Sequence, residues 1–222
     1  MGRHLKSALP GDTIHVCIDM QRMFAEATPW HAPWMARVLP KVERLSAHRP
    51  ADTAFTRFIP AEKPGDGQGT WRAYWERWPD MTLSRLGKEM VDLVPELARF
   101  SPPAPTFDKS TYSPWLDLGL EGYLQAVGAT TLVVSGAETD ICVLGTVLGA
   151  VDRGFRTVVV SDAVCSSSDE AHDAMIALLG DRYDQQVEVA ETEAVLAAWT
   201  LPSPLGRDGR RIRKRDPVWT LG

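Results

Sequence analysis

The chain has 222 residues, with 24 lysines and arginines against 29 aspartates and glutamates, so its formal net charge is −5 at pH 7. This balance argues against nucleic acid or an anionic membrane as the main partner. Hydrophobic residues make up 44% and charged residues 24%, which is ordinary for a globular protein and excludes disorder or coiled coil over the whole chain. No apolar run reaches the roughly 18 residues of a membrane-spanning helix.

The N-terminal segment and the cysteines indicate the compartment. The first residues, MGRHLKSALPGD, contain no apolar core of signal-peptide length. The three cysteines are too few and too widely spaced for a disulfide framework; they are Cys17, Cys142 and Cys165. We therefore expect a soluble cytoplasmic protein, in which a thiol is available as a chemical reagent.

Short β-rich runs alternate with longer helical patterns along the chain. The predicted strands are residues 14–18, 53–58, 105–108, 131–135, 157–161 and 186–189. The predicted helices are residues 33–47, 116–127, 143–151, 169–179 and 191–199. Alternation of this kind is typical of right-handed βαβ units. It predicts a single three-layer α/β/α domain over residues 1–201, with a mostly parallel, Rossmann-like sheet of about six strands.

Two segments depart from this alternation. Residues 60–88 hold Trp71, Tyr74, Trp75 and Trp78, whose spacing places them on one face of a helix. Packing onto the domain or a subunit interface is the favoured interpretation of that face, and an aromatic wall over an active site is the alternative. Residues 202–222 are rich in basic residues and predict a poorly packed C-terminal tail.

Three chemically distinct side chains follow predicted strands: Asp19, Lys109 and Cys142. Taken singly, such residues are usually a helix cap, a solvated lysine and a structural thiol. Because the ends of parallel strands meet at one edge of a sheet, we expect these three to lie together. Cys142 is then predicted at the start of a helix capped by Thr139 or Asp140, where the helix N-terminus and Lys109 would favour the thiolate.

A carboxylate, an ammonium and a thiol can carry out acyl transfer. Asp19 would take the thiol proton as general base and return it to the leaving group as acid. Backbone N–H groups at the helix start would stabilise the oxyanion. The sequence therefore predicts acyl transfer to sulfur followed by hydrolysis.

Three stretches carry a resemblance to a known family. Residues 17–24 read CIDMQRMF, residues 107–113 read FDKSTYS and residues 136–143 read GAETDICV. In these stretches the chain resembles the isochorismatase-like cysteine hydrolases, which include nicotinamidase, N-carbamoylsarcosine amidase and isochorismatase. The likeness extends over roughly residues 12–200.

The resemblance implies a catalytic triad of Asp19, Lys109 and Cys142. It also implies a cis peptide bond between Ala137 and Glu138, with the backbone N–H groups of Glu138 and Cys142 forming an oxyanion hole. Phe24 matches an aromatic residue that lines the pocket in the family. The further predicted substrate contacts are Trp71, Trp75 and Tyr112. We expect no cofactor, and a homodimer or homotetramer.

The chain departs from the family pattern at two places. Glu138 stands where many members have a small residue, and its side chain is predicted either to face solvent or a salt bridge, or to bind a cationic or N–H-rich substrate. After the second strand, residues 56–60 read TRFIP where nicotinamidases carry metal-binding histidines, and no histidine occurs between His48 and His172. We therefore expect no metal, and nicotinamidase activity is disfavoured.

The leading functional hypothesis is a cysteine-dependent amidohydrolase that cleaves a C–N bond of a small linear amide, ureide or carbamoyl compound. One alternative is a vinyl-ether hydrolase like isochorismatase, for which Arg57 and Arg72 are candidate contacts to an acidic substrate. The other is a non-catalytic member that keeps the scaffold. The presence of Cys142 favours amide chemistry.

Overall fold

Six parallel strands form one sheet. A computed structural model of the protein describes residues 5–199, so the tail predicted at residues 202–222 lies outside the described residues. The strands are β1 (Thr13–Ile18), β2 (Thr53–Phe58), β3 (Thr106–Lys109), β4 (Thr131–Ala137), β5 (Arg156–Cys165) and β6 (Val187–Ala190). Their order in the sheet is β3-β2-β1-β4-β5-β6. Successive strands are added on one side of β1 up to β3 and on its other side from β4 onward, so the strand order reverses between β1 and β4. In open α/β sheets, ligands bind at such a point.

Helices cover both faces of this sheet. They are α1 (Arg22–Ala25), α2 (Met35–His48), α3 (Thr70–Arg77), α4 (Leu83–Leu86), α5 (Pro95–Ala98), α6 (Leu118–Val127), α7 (Leu144–Asp152), α8 (Asp169–Asp181) and α9 (Thr192–Ala198). One buried cluster joins the sheet to α2, α5 and α9, and a second joins it to α6, α7 and α8. The predicted three-layer α/β/α fold is confirmed. Within residues 5–199, no helix has the length and apolar character needed to cross a membrane.

The predicted strands and helices are all present, with differences at their ends. Ser168 caps α8 by accepting a hydrogen bond from the N–H of Ala171 at 3.2 Å. Gly128 ends α6 in the left-handed conformation, with φ of 67°. The prediction that α8 stops before Gly180 is wrong, because this glycine keeps helical hydrogen bonding inside α8. The fifth strand runs beyond its predicted end at residue 161, so that Cys165 is the buried last residue of β5.

Gly136 allows β4 to lie against β1 close to the strand ends. It pairs with Ile18 in the sheet register and has a φ of +112°, which residues with a side chain rarely adopt. A Cβ atom at this position would lie 2.0 Å from the carbonyl oxygen of Ile18. The close approach of the two strands therefore depends on glycine.

We expect Gly136→Ala to lower the free energy of unfolding by about 4 kcal/mol or more, because the clash is with backbone and φ is unfavourable. Gly122→Ala is the matched control. Gly122 lies inside α6, where an added Cβ atom would meet nothing within 4 Å, so alanine should stabilise the protein by about 0.5–1 kcal/mol. Urea unfolding of both variants measures the difference. Equal changes in the free energy of unfolding of the two variants would contradict the role assigned to Gly136.

His15 lies fully buried inside β1. Its Nε2 atom is 2.7 Å from Ser135 Oγ, and its Nδ1 atom is 3.5 Å from Thr53 Oγ1. Burial lowers the pKa of His15 from 6.5 to about 3. The imidazole is therefore neutral in the folded protein at pH values where the unfolded chain binds a proton.

This shift predicts a loss of stability in acid. Between pH 6.5 and about 3 the unfolded chain carries one more proton at His15 than the folded chain. The free energy of unfolding therefore falls by about 1.4 kcal/mol per pH unit from this group as the pH drops. His15→Asn should make the measured slope shallower by that amount, whereas His31→Asn, at an exposed position, should not. Identical slopes in all three proteins would contradict the assignment.

Candidate active site

The ends of three strands bring Asp19, Lys109 and Cys142 into contact. Asp19 directly follows β1, Lys109 ends β3, and Cys142 lies in the turn after β4. Lys109 Nζ is 2.6 Å from Asp19 Oδ2 and 3.4 Å from Cys142 Sγ. Because β2 separates β1 from β3 in the sheet, a side chain as long as lysine is needed to span this distance. The three side chains are all buried.

Asp19 is held in place by the neighbouring strand. Its φ of 47° lies in the left-handed region, which aspartate tolerates better than most residues. The Thr56 hydroxyl on β2 donates a hydrogen bond to Asp19 Oδ1 at 2.6 Å. The N–H of Asp19 donates to the Thr56 carbonyl at 3.2 Å. Thr56 therefore orients the carboxylate, and the sequence analysis missed it because a threonine inside a strand has no distinctive spacing.

Lys109 remains an ammonium despite its burial. Desolvation works against its charge, but Asp19 and Cys142 outweigh that effect and raise the pKa of Lys109. The ammonium also donates to the carbonyl of Thr111 at 3.0 Å. It lies 5.1 Å from the centre of the Phe58 ring, within the range of a cation–π interaction. These contacts satisfy a charge that would otherwise be costly to bury.

The Cys142 thiol is protonated in the unliganded protein. Burial and then the charge of Asp19 raise the pKa of Cys142 well above its usual value, and Lys109 opposes them only in part. Lys109 favours the thiolate, as expected, since it lowers the pKa of Cys142, but burial and Asp19 outweigh its effect. Asp19 is close enough to raise the pKa of the thiol, so a carboxylate that can accept its proton lies beside it.

Cys142 lies in one π-helical turn, Thr139–Val143, which precedes α7. The peptide bond between Ala137 and Glu138 is cis. The Glu138 carbonyl accepts hydrogen bonds from the N–H groups of Ile141 and Val143, at 3.1 and 3.0 Å. The turn is thus started by the backbone of Glu138.

The prediction that Thr139 or Asp140 caps this turn is wrong. Neither side chain bonds to the turn, because both find partners in the segment that follows β5. Thr139 Oγ1 lies 2.8 Å from Nδ1 of His172. Asp140 Oδ1 accepts a hydrogen bond from the Ser166 hydroxyl at 2.5 Å. These two contacts tie the cysteine turn to the start of α8.

An aromatic cluster lies beside the three polar residues. Its members are Phe24, Trp30, Phe58, Trp71, Tyr74, Trp75, Trp78 and Tyr112. Phe58 joins the cluster to Lys109. The rings of Trp71 and Tyr112 are 5.0 Å apart, and Tyr112 is 37% exposed. Trp71 and Tyr112, two of the predicted substrate contacts, therefore lie on the accessible side of this cluster.

The other two predicted substrate contacts, Phe24 and Trp75, lie deeper. Both are almost completely buried and pack against Trp30, at ring distances of 6.1 and 5.9 Å. They form the buried part of the cluster. Of the residues that the sequence analysis did not assign to the site, Tyr74 lies beside the predicted ones, since its ring is 5.2 Å from Trp71.

Gln21 is a further residue that the sequence analysis missed. Its side-chain amide donates to the carbonyls of Phe58 and Val91, at 3.0 and 2.6 Å, and accepts from the N–H of Phe58 at 2.7 Å. It therefore connects the end of β1 to the end of β2. The rule that led to Asp19, a polar residue just after a buried strand, also applies to Gln21.

The two candidate arginines lie outside this group of contacts. Arg57 forms ion pairs with Asp108 at 2.7 Å and Asp92 at 3.0 Å, and Arg72 is exposed on α3. Over residues 5–199, no three His, Cys, Asp or Glu side chains are grouped so that they could hold a metal ion.

Comparison with known proteins decides the family. The model of the isochorismatase domain matches residues 13–194. The chain belongs to the isochorismatase family. A nicotinamidase from Schizosaccharomyces pombe is 37% identical over 81 residues, which are 36% of this chain and 35% of that protein. A maleamate amidohydrolase from Pseudomonas putida is 29% identical over 105 residues, 45% of this chain and 49% of that protein.

The aligned stretches thus span half or less of these two relatives. A solved cysteine hydrolase from Pseudomonas syringae pv. phaseolicola superposes with a TM-score of 0.75 at 23% identity, covering 89% of this chain and 97% of that one. At this identity the likeness shows the fold. The six-stranded parallel sheet with helices on both faces is the fold of the isochorismatase family.

The effect of Asp19 on the pKa of the thiol predicts that removal of the Asp19 charge makes Cys142 react faster with an alkylating reagent. Asp19→Asn removes the charge that raises the pKa of Cys142 and leaves Lys109, so the thiolate fraction at pH 7 should increase. We expect faster alkylation of Cys142 by iodoacetamide in this variant than in the wild type. Lys109→Met should have the opposite effect, because it removes the cation that favours the thiolate.

Mass spectrometry of the Cys142 peptide over time gives the rates, and circular dichroism checks the fold. Asp140→Asn is the matched control, since Asp140 pairs with Ser166 and should leave the rate near that of the wild type. A rate for Asp19→Asn at or below the wild-type rate would contradict the assignment of Asp19 as the group that holds the thiol protonated.

Proposed function

We propose that the protein is a cysteine-dependent amidohydrolase that cleaves a C–N bond of a small linear amide, ureide or carbamoyl compound. The observation that carries the proposal is the mutual contact of Asp19, Lys109 and Cys142, at 2.6 and 3.4 Å from the ammonium. Relatives that act as amidohydrolases support C–N bond cleavage as the type of reaction. Asp19, Lys109 and Cys142 are the proposed catalytic residues.

In the first half-reaction, the thiol proton of Cys142 passes to Asp19 as sulfur attacks the amide carbon. A C–S bond forms and the carbonyl becomes an oxyanion. Lys109 stabilises the sulfur as its charge develops and keeps Asp19 in position. Asp19 then protonates the departing nitrogen, so that the C–N bond breaks and ammonia or an amine leaves. A thioester on Cys142 remains.

In the second half-reaction, a water molecule attacks the thioester carbon and gives its proton to Asp19. The C–S bond breaks, and the proton returns from Asp19 to the sulfur of Cys142. Each turnover therefore consumes one water molecule and leaves the enzyme unchanged. A carboxylate beside the thiol can perform all four of these proton transfers without a metal or cofactor.

The proposed oxyanion hole consists of the backbone N–H groups of Glu138 and Cys142. Both belong to the segment that runs from the cis peptide bond into the π-helical turn. Preorganised backbone donors stabilise the oxyanion because they need not reorient during the reaction. Trp71 and Tyr112, on the accessible side of the aromatic cluster, are the proposed contacts to the substrate body.

The alternative of an isochorismatase-type vinyl-ether hydrolase receives less support from the described contacts. That chemistry acts on an acidic substrate, for which a cationic side chain is expected in the pocket. Arg57 already pairs with two carboxylates, and Arg72 lies on the exposed side of α3. The intact set of Asp19, Lys109 and Cys142 argues against a purely structural role.

The test is ammonia release from nicotinamide, carbamoyl amino acids, biuret, ureidoacrylate-like compounds and simple amides. We expect the wild type to hydrolyse at least one of them and Cys142→Ala to be at least about a thousandfold slower, because the nucleophile is absent. Cys165→Ala, which removes a buried thiol at the end of β5, is the control and should retain activity.

Intact-protein mass spectrometry during turnover should detect an acyl group on Cys142. Substantial ammonia release by Cys142→Ala would contradict the thiol mechanism. Cleavage of isochorismate by both the wild type and Cys142→Ala, without ammonia release from any amide, would favour the vinyl-ether reaction instead.

A further inference from the structure

Glu138 carries a carboxylate in the segment that leads to the proposed nucleophile. It follows β4 directly and precedes the π-helical turn that carries Cys142. Its side chain is half-buried, and Oε1 accepts a hydrogen bond from the N–H of Ser167 at 2.9 Å. Within residues 5–199, Glu138 takes part in none of the ion pairs. One oxygen is therefore tethered to the backbone while the charge lacks a cation.

Two tyrosines of the aromatic cluster share this region with Glu138 and Cys142. The rings of Tyr74 and Tyr112 lie edge to face, 6.4 Å apart, and Tyr112 also lies against Trp71. Burial first, and then neighbouring groups that include Glu138 and Cys142, raise the pKa of both hydroxyls. Glu138 and Cys142 are therefore near enough to act electrostatically on both tyrosines.

The charged groups around this region leave the negative charge of Glu138 uncompensated. Asp19 and Lys109 neutralise each other at 2.6 Å. Burial raises the pKa of Glu138, and the nearby carboxylates of Asp140 and Asp19 add to this effect, while the hydrogen bonds from Ser167 oppose it. A positive group brought into this region would pair with Glu138 and could lie against the tyrosine and tryptophan rings. A carboxylate brought there would be repelled.

We propose that Glu138, together with Trp71, Tyr74 and Tyr112, selects amide substrates that carry a positively charged nitrogen, such as an ammonium, and rejects substrates that carry a carboxylate. This inference rests on the proposed function, since it places the charged end of the substrate beside Cys142. It also assigns a role to the acidic side chain at the cis peptide bond. In this proposal the carboxylate of Glu138 determines specificity, whereas its backbone N–H belongs to the proposed oxyanion hole.

The test compares two amides of the same shape that differ in charge. They are trimethylammonio-acetamide, whose quaternary nitrogen is positive, and 3,3-dimethylbutanamide, in which a carbon atom replaces that nitrogen. Binding is measured by tryptophan fluorescence in Cys142→Ala protein, so that no turnover interferes. We expect the cationic amide to bind about tenfold or more tightly than the neutral one.

The matched variants remove one negative charge each in the Cys142→Ala background. Glu138→Gln keeps the size of the side chain and an oxygen for the N–H of Ser167, and it should abolish most of the preference for the cation. Glu76→Gln removes a charge from the exposed side of α3 and should keep the preference. Equal binding of the two amides, no binding of the cationic amide at millimolar concentration, or a preference that survives in Glu138→Gln would each overturn the proposal.

Ammonia release by the wild type from the same two amides separates this inference from the proposed function. Cys142-dependent hydrolysis of the neutral amide with no preference for the cation would leave the amidohydrolase proposal standing and overturn the role of Glu138. Selective binding of the cationic amide without hydrolysis of either compound would support the role of Glu138 and count against amide hydrolysis.

Discussion

The buried ion pair between Asp19 and Lys109 is the interaction on which the site depends. Two charges removed from water are costly unless they meet in good geometry and their other hydrogen-bonding positions are satisfied. Here the Thr56 hydroxyl donates a hydrogen bond to one carboxylate oxygen of Asp19, and the Lys109 ammonium donates one to the Thr111 carbonyl. The pair forms because the ends of β1, β2 and β3 lie side by side. Removing either partner would leave an uncompensated charge in the interior.

This ion pair also determines the state of the thiol. Cys142 contacts both members, and the carboxylate, assisted by burial, outweighs the ammonium in its effect on the pKa of the thiol. The neutral thiol is therefore favoured, beside the carboxylate that is its proposed base. In the proposed reaction, proton transfer to Asp19 accompanies the attack of sulfur on the substrate.

The segment between β2 and β3 adds aromatic side chains to the edge of the sheet. The strand ends offer small and charged groups, whereas α3 covers them with the rings of Trp71, Tyr74 and Trp75. Aromatic walls exclude water, which strengthens every electrostatic interaction beneath them. The scaffold is that of the isochorismatase family. The proposed selection of a cationic ligand combines these rings with the unpaired carboxylate of Glu138, which follows β4.

The sequence by itself determined the fold class, the family and the three strand-end residues Asp19, Lys109 and Cys142. It could do so because hydrophobic periodicity marks the strands, and parallel strands place the residues that follow them at one edge of the sheet. Only the tertiary structure decided that the thiol is protonated, that Arg57 is already paired, and that Thr56 orients the base. These properties depend on burial and on distances between side chains far apart along the chain, and local spacing does not encode either quantity.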